Sequence, residues 1–419
     1  MSKVVSIIAF ILIIGLVIFI HEFGHFLAAK RHKVGVVEFS IGLGPKLFSF
    51  VRKGTRYSVK WIPFGGYCMM QGDESFLAEG PLSEDPKSDR RTMKEKAVVQ
   101  NTETGASAFD TEKASSEEAI TVREAEEKET LPADHSTDIG DDEHAFNKKS
   151  VWVRIIVIAA GPVFNFLLAL LLALLLIAMV GTTTTELGAV ASDYPAEEAG
   201  LKAGDVITKL DHTSVHLFKD ITLYMAMHSG EQMEVTFVRG NETKTTTLTP
   251  RYSEEDGRYL IGIMADDRQE HLNFGEVLKY GLYEFSYNTG VVIKSLGMLL
   301  TGKASFNDLS GPVGMAGMVN EIVEGVEEDT AGEPFWTKVY WILVNLISFT
   351  VLISANLGIM NLLPIPGLDG GRLIFLIVEA IRGKPVPKKH EGIVTAVGFA
   401  LLLLLMVAVF FNDIRKVFF

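Results

Sequence analysis

The sequence predicts a multi-span α-helical membrane protein with four transmembrane helices, a membrane-associated β-hairpin region and one inserted α+β domain. Hydrophobic residues make up 48% of the 419 residues, and the mean hydropathy is +0.25. For a chain this long, such values indicate membrane segments rather than a larger soluble core. Four apolar runs each approach the length that a bilayer-spanning helix requires, and a stretch with strand and turn signals separates the second run from the third.

The first transmembrane helix, residues 1–30, ends in the most informative motif of the chain. An apolar run at residues 4–20 leads directly into His21-Glu22-Phe23-Gly24-His25. No small-residue cleavage site follows, so a retained helix is expected rather than a signal peptide. On a helix, His21 and His25 project from one face and can share one Zn²⁺, while Glu22 acts as general base toward water. Ionisable groups inside a span are costly and usually functional, which favours this interpretation over a buried, hydrogen-bonded histidine pair.

Residues 31–71 are expected to form a membrane-associated β-strand region. The runs VGVVEFS, IGLGPKLFSFV and TRYSVKWIPFGGYCMM are rich in β-branched and aromatic residues and are broken by glycine. This pattern predicts two or three strands in hairpins. Their apolar character suggests a sheet that dips toward the membrane, and an ordinary surface sheet is the alternative.

The acidic character of the chain comes from one segment. Residues 72–147 hold 21 Asp or Glu against 8 Lys or Arg, which accounts for the whole net charge of −13. Few large apolar side chains occur there, so the segment cannot bury enough surface to offset its conformational entropy. We expect residues 72–150 to form an acidic, disordered loop with a short helix around residues 115–128. Because the charge is local, it indicates no nucleic-acid partner.

The second transmembrane helix, residues 151–181, contains Gly161-Pro162 and Asn165. Proline and glycine are tolerated in a membrane when neighbouring groups satisfy the freed backbone. The side chain of Asn165 is expected to form a helix–helix hydrogen bond rather than to act in catalysis.

Residues 182–267 are expected to form a compact soluble module. The order is strand, short helix, turn and strand, then a helix at residues 218–228 and the strand pair EVTFVRG and ETKTTTLTP. The run PAEEAGLKAGDVI resembles a PDZ domain, a module that takes peptides by adding a strand to a sheet edge. Asp211-His212 stands where that family usually has Asn-Gly, so a different turn is expected there.

The C-terminal third contains the remaining spans. Residues 268–335 are expected to form amphipathic or clamp helices that lie on the membrane or against the bundle, with a plain linker helix as the alternative. Residues 336–391 comprise the third transmembrane helix and NLLPIPGLDGG, whose prolines and glycines cannot continue a regular helix. Such backbone survives at membrane depth only where protein buries it or it lines a cavity. A short helix is expected at residues 372–382, and residues 392–419 form the fourth transmembrane helix.

Basic residues beside the spans predict the orientation in the cell membrane. Residues 29–60 carry eight Lys or Arg and residues 372–389 carry five. Both segments, and with them the acidic loop and the active-site side of the protein, are therefore expected in the cytoplasm. The PDZ-like module is expected outside.

Asp369 is the best candidate for a third metal ligand. Cys68 is the only cysteine, so any metal must be held by histidine and carboxylate. A lone carboxylate at this depth costs on the order of 3 kcal/mol on insertion scales, and coordination would compensate that cost. The alternative is an ion pair between Asp369 and Arg372.

Four features together resemble the site-2 protease family: HEFGH on the first span, the glycine-rich strands, the PDZ-like insert and NLLPIPGLDGG after the third span. Within that family, the chain is similar to the bacterial regulated intramembrane metalloproteases of the RseP/RasP type. The resemblance implies one Zn²⁺ per chain, bound by His21, His25 and Asp369, with Glu22 as general base. The acidic loop departs from the family pattern.

The resemblance also implies how substrate is held. Asn361 is expected near the substrate backbone, and the glycine-rich strands are expected to present an unwound substrate through Gly42, Gly44, Gly65 and Gly66. Expected substrates are transmembrane proteins or peptides of the anti-sigma-factor or signal-peptide type, cut within or near a single span. The other expected partners are an upstream site-1-type protease, with the PDZ-like module as size filter, and membrane lipid.

Two other functions fit parts of the sequence. One is a catalytically silent membrane PDZ scaffold with a structural metal site, against which the intact Glu22 argues. The other is a metal transporter, because ionisable groups inside spans also mark ion paths. A soluble module and the absence of an inverted repeat of spans argue against transport.

Overall fold

The structure is a computed structural model that describes residues 2–73, 143–266, 269, 271–305, 307 and 309–418. Most of the predicted acidic loop, and the helix expected at residues 115–128, lie outside the described residues. The described helices, in chain order, are α1 (Ser2–Arg31), α2 (Val151–Val180), α3 (Pro195–Glu198), α4 (Phe218–Met227), α5 (Phe274–Leu300), α6 (Pro312–Asp329), α7 (Phe335–Leu362), α8 (Asp369–Arg382) and α9 (Lys388–Phe418).

Four helices of the described part are long and apolar enough to cross a membrane. They are Lys3–Arg31, Val151–Val180, Phe335–Leu362 and His390–Lys416. Their outer faces carry large apolar side chains that no protein covers, such as Leu12 at 67% exposure and Leu171 at 64%. A face of this kind is stable against lipid and costly against water. The molecule is therefore a multi-pass membrane protein.

Helices α1, α2 and α7 pack closely because small residues lie between them. A Cβ atom on Gly24 of α1 would overlap the main chain of Ala160 in α2. Further along α2, Ala169 and Ala173 are fully buried against Val351 of α7. Small side chains let helix backbones approach in a membrane, where packing rather than the hydrophobic effect drives association. This close approach brings polar groups of α2 within reach of the α1 motif.

Residues 31–71 form one irregular hairpin of two long strands, β1 (Val36–Arg52) and β2 (Thr55–Met70). Repeated register shifts fold each strand back, so that Phe39 lies opposite both Cys68 and Tyr57. One side of the sheet packs on α1 through aromatic rings, among them Phe26. In β2, Trp61 is 66% exposed.

The inserted module lies between α2 and α5 and comprises eight strands. They are β3 (Leu187–Val190), β4 (Val206–Leu210), β5 (Thr213–Ser214), β6 (Met233–Arg239), β7 (Glu242–Leu248), β8 (Arg251–Ser253), β9 (Arg258–Leu260) and β10 (Ile263–Ala265). The main sheet has the order β5-β4-β6-β7, and β3 pairs with β10. The buried cluster of the module contains only its own residues, with Leu187, Ile207 and Val235 at its centre. The predicted order of strands and helix is confirmed.

The tight turn at Asp211-His212 joins β4 to β5. Asp211 adopts a φ of 47°, a conformation in which aspartate and asparagine are the tolerated alternatives to glycine. Its carboxylate accepts the N–H of Glu234 at 2.8 Å and the hydroxyl of Tyr224. The aspartate therefore makes contacts at this turn that join β6 and α4 to it.

The amphipathic helix α5 clamps against the bundle. Phe285 packs against the alanine-lined contact of α2 and α7, and the ring of Phe166 meets it edge to face. Glu284 is buried on the same helix and forms an ion pair with Lys219 of the module. The module is thus attached to the bundle by a charged contact as well as by the chain.

The segment between α7 and α8 reverses the chain within a few residues. Gly367 has a φ of +97°, which side chains rarely adopt. A Cβ on Gly370 would overlap the main chain at Leu363, and one on Gly371 would lie 2.8 Å from the Cα of Pro366. The glycines therefore let α8 begin against the loop that precedes it. Helix α8 begins at Asp369, three residues before the predicted start, because a carboxylate is favoured in the first turn of a helix.

Candidate metal centre

Three ligand atoms from two helices converge at membrane depth. The Nε2 atoms of His21 and His25 are 3.3 Å apart, and they lie 3.1 and 3.2 Å from Oδ2 of Asp369. A tetrahedral zinc ion with bonds of about 2.0–2.1 Å would separate its ligand atoms by about 3.3 Å. The triangle therefore has the dimensions expected of three ligand atoms that share one tetrahedral zinc ion.

The donor set also fits a cation electrostatically. Oδ2 of Asp369 is buried, and its polar neighbours are the two Nε2 atoms, which donate no hydrogen bond to it when they are unprotonated. An unsatisfied buried carboxylate oxygen is costly, and a divalent cation between the three atoms would remove that cost. Two neutral imidazoles and one carboxylate are a common ligand set for catalytic zinc.

The local sequence explains how the three groups meet. The four-residue spacing places both imidazoles on one face of α1, and their rings lie edge to face at 4.9 Å. The helix is interrupted after α7, and α8 begins at Asp369. The carboxylate of Asp369 is therefore on the first turn of α8, close to both histidines.

Helix α2 holds the imidazole of His25. The Nδ1 atom of His25 lies 2.9 Å from the main-chain oxygen of Val157. A carbonyl can only accept, so Nδ1 carries the proton and Nε2 keeps its lone pair for a metal. The carboxamide of Asn165, on the same helix, lies 3.2 Å from Nδ1 of His21. The expected helix–helix hydrogen bond of Asn165 is confirmed, and its partner is one of the site histidines.

Gly161 of α2 forms the floor beneath both rings. A Cβ atom at this position would overlap the imidazole of His25 and lie 2.8 Å from Cε1 of His21. Only glycine leaves room for both rings, so the missing side chain at residue 161 of α2 is what allows the two imidazoles to pack there.

The side chain of Glu22 extends from α1 toward the hairpin. A Cβ on Gly66 would come within 3.2 Å of its Cγ. The side chain is half-buried rather than enclosed. A carboxylate placed beside the histidine pair and at a strand edge can exchange a proton with water near the metal position.

Asn361, in the last turn of α7, is half-buried, and its amide nitrogen lies 3.4 Å from Nε2 of His21. Of the four glycines predicted to touch substrate, Gly66 is the one that the structure brings against the site. The nearest neighbours of Gly42, Gly44 and Gly65 belong to the hairpin itself.

The alternative ion pair between Asp369 and Arg372 is wrong. The guanidinium of Arg372 donates to the carboxylate of Asp73 at 2.7 Å, and it stacks over the ring of Phe146. The main-chain oxygen of Gln71 also accepts the N–H of Phe146, so the chain at residues 71–73 and the chain at Phe146 lie side by side near Arg372 of α8. Sequence reasoning did not find this contact, nor the role of Gly161, although the glycine and the polar Asn165 inside an apolar span were visible signals.

The model of peptidase family M50 matches residues 9–405 of the chain. The regulator of sigma-W protease RasP of Bacillus subtilis is 33% identical over 433 residues, covering 99% of both proteins. The zinc metalloprotease RasP of Bacillus licheniformis is 34% identical over 439 residues, again covering 99% of both.

Two solved structures resemble a small part of the chain. The PDZ domain of the SdrC-like protein from Listeria innocua is 24% identical, and the match covers 21% of this chain and 99% of that one, with a TM-score of 0.19. The second domain of a Listeria protein is 27% identical and covers 23% of this chain and 95% of that one, with the same TM-score.

Proposed function

Since the chain belongs to peptidase family M50, we propose that it cleaves single-span membrane proteins or peptides within or near their transmembrane segments. It is an intramembrane zinc metalloprotease of regulated proteolysis. The observation that carries the proposed site is the triangle of two imidazole nitrogens and one carboxylate oxygen between helices at membrane depth. Substrates of the anti-sigma-factor type are the first to test, because one relative is named a regulator of sigma-W protease.

We assign the roles of the site residues from their placement. His21, His25 and Asp369 hold zinc, which supplies a Lewis acid and makes nearby water more acidic. Glu22 takes the proton from the attacking water and later delivers it to the leaving amine. Asn361 lies beside His21 and is half-buried, so its amide can donate to a substrate carbonyl.

The hairpin edge at Gly66 is the proposed docking strand for substrate. A transmembrane helix has its backbone hydrogen-bonded internally, so it must unwind before a peptide bond can be attacked. Addition to a strand edge would replace the lost hydrogen bonds beside Glu22. Gly66→Pro removes an N–H from this edge and should abolish cleavage of membrane substrates while zinc is retained, whereas the control Gly66→Ala adds the same Cβ beside Glu22, keeps the N–H and should retain more activity. Proline at Gly42 or Gly44 is a poorer test, since their φ values of 84° and 86° conflict with the fixed φ of proline. Unchanged cleavage by Gly66→Pro would contradict strand addition.

We further propose the sidedness that the basic residues indicate. The hairpin and the segment at residues 74–142 face the cytoplasm, the inserted module lies outside, and four helices span the membrane. The PDZ-like module would then exclude substrates with bulky ectodomains until a site-1-type protease has trimmed those ectodomains. Lipid would surround the exposed apolar faces of the helices. Cysteine labelling from outside intact cells should modify Ser192→Cys and leave Ser115→Cys unmodified, and the reverse pattern would overturn the arrangement.

Zinc content separates the ligands from the general base. Glu22→Gln removes the base and leaves the three ligands, so the purified protein should be inactive with near-stoichiometric zinc. Asp369→Asn replaces an anionic ligand by a weak neutral one, so that protein should be inactive and zinc-poor. His21→Ala is the depleted reference. Zinc-dependent cleavage of a single-span substrate in detergent tests the activity itself.

Two results would overturn the assignment. Normal zinc retention in Asp369→Asn, beside a depleted His21→Ala protein, would remove Asp369 from the ligand set. Peptide cleavage by Glu22→Gln at the wild-type rate would remove Glu22 from the chemistry. A scaffold or a transporter is disfavoured by family membership, since the matched family is one of peptidases.

A further inference from the structure

Asn165 is a fully buried polar residue inside an apolar span. Its main-chain oxygen accepts a hydrogen bond from Ser354 of α7 at 2.8 Å, which fixes the backbone at this point. Its side chain is placed with the amide nitrogen 3.2 Å from Nδ1 of His21. Its Oδ1 atom is buried and has no hydrogen-bond partner among the described residues. A buried amide oxygen without a donor is costly, so its orientation needs an explanation.

The chemistry of His21 supplies that explanation. When Nε2 of a neutral imidazole gives its lone pair to a metal, Nδ1 carries the proton and requires an acceptor. The amide nitrogen of Asn165 cannot accept, and a donated hydrogen bond from it would place the proton on Nε2, where it blocks the metal. The oxygen and nitrogen of a carboxamide occupy nearly equivalent positions, and the hydrogen-bond network decides between them. Rotation by 180° about the last bond turns the unsatisfied Oδ1 toward Nδ1 of His21.

We propose that Asn165 is the positioning residue for His21: its Oδ1 accepts the Nδ1 proton and holds the ring with Nε2 toward the metal. This inference rests on the proposed zinc site. It makes α2 responsible for both imidazoles, because the Val157 carbonyl accepts from Nδ1 of His25 in the same way.

The inference also separates the tasks of two asparagines. The amide nitrogen of Asn361 lies 3.5 Å from Nδ1 and 3.4 Å from Nε2 of His21, about equally far from both ring nitrogens. An atom along the hydrogen-bond direction of one ring nitrogen would lie much farther from the other nitrogen, so the Asn361 amide is aimed at neither. Asn165, in contrast, is fully buried and lies at Nδ1 alone. Asn361 therefore remains free for substrate while Asn165 orients the ligand.

A series of substitutions at residue 165 distinguishes this role from simple packing. Asn165→Leu preserves the volume and removes the acceptor, whereas Asn165→Asp restores an acceptor with nearly the same shape. Zinc content and the rate of zinc release to a chelator are measured on the full-length protein in detergent. Loss of a hydrogen bond to a metal-bound histidine typically lowers metal affinity about 10–100-fold. We expect that loss for Asn165→Leu and Asn165→Ala, and wild-type retention or better for Asn165→Asp.

If Asn165 acted only through packing, Asn165→Leu would retain more zinc than Asn165→Asp, because leucine is well suited to a buried position and a carboxylate is not. Asn345→Leu is the control, since it places leucine at a half-buried asparagine whose amide donates within α7. It should retain zinc. If Asn165→Leu does not fold, the comparison of Asn165→Ala with Asn165→Asp decides the question.

A second readout does not depend on affinity. In protein labelled with ¹⁵N-histidine, the zinc-loaded wild type should show a protonated, hydrogen-bonded Nδ1 for His21, and Asn165→Leu should lose that hydrogen-bond shift. Equal zinc release from wild type and Asn165→Leu would overturn the positioning role alone. Absence of zinc from the wild type would instead overturn the proposed metal centre.

Discussion

Gly161→Ala is the sharpest perturbation that the structure offers, since it adds one methyl group at the floor of the site. Alanine is favoured over glycine in a helix interior by about 1 kcal/mol. Residue 161 has ordinary helical backbone, but it precedes Pro162, whose ring disfavours a Cβ on the preceding helical residue. The methyl group therefore acts through the helix as well as through the space beside the rings, and thermal unfolding separates the first effect from the second.

The size of the effect follows from the distances. The new Cβ would lie 2.6 Å from Cε1 of His25 and 2.8 Å from Cε1 of His21. Carbon atoms in contact prefer a separation of about 3.5–4.0 Å, so the rings must withdraw by roughly 0.7–1.4 Å. Metal–ligand distances tolerate deviations of only about 0.2 Å. The rings cannot both clear the methyl group and keep the ligand triangle, and we expect zinc affinity to fall by at least about 100-fold.

The measurement is zinc retention during dialysis against a graded series of chelator concentrations, with thermal unfolding in detergent recorded beside it. Gly15→Ala is the matched control, because it adds the same methyl group to α1 at a position with no heavy atom within 4 Å. It should keep its zinc. Retention by Gly161→Ala equal to that of the control would refute the reasoning, and so would a collapse of the fold that precedes zinc loss.

Two further outcomes are expected from charged pairs away from the metal ligands. Arg372→Met leaves the Asp73 carboxylate buried without its guanidinium, at a cost of about 3 kcal/mol, and loosens α8 one turn from Asp369. Zinc should dissociate faster, and adding Asp73→Asn should restore part of the loss; an additive double variant would contradict the coupling. In the inserted module, burial alone would raise the pKa of Asp205, but two hydrogen bonds of 2.7 Å from Arg239 hold that pKa below its ordinary value of 3.8. Because the pKa of Asp205 is lowered in the folded state, its ionised form stabilises the folded module above the unfolded pKa, and this stabilisation is lost as the pH falls through the folded pKa. Resistance of the excised module to urea should therefore fall at acidic pH. Arg239→Met should be less stable than wild type at pH 7 and should show a flatter pH dependence.

Much of the site could be predicted from the sequence because its signals are local. The four-residue spacing of His21 and His25 places both side chains on one face of a helix. The apolar run before them is long enough to predict that this helix lies in a membrane. The prolines and glycines after α7 interrupt the helix, and Asp369 is the carboxylate in this interrupted segment, which makes it a ligand candidate. The strand and helix order of the inserted module likewise follows from turns and periodicity within short stretches.

The tertiary structure alone decided which groups support those residues. The acceptor for His25 is a main-chain oxygen 132 residues away, and the partner of His21 is an asparagine 144 residues away. The choice of Asp73 rather than Asp369 as the partner of Arg372 depends on where residues at the end of the hairpin pack against α8. Periodicity determines which face of a helix is apolar, but it leaves open which neighbour meets that face and at what height. Those contacts depend on how closely α1, α2 and α8 pack, and that closeness is set by glycines and alanines whose effect comes from the volume that they leave empty.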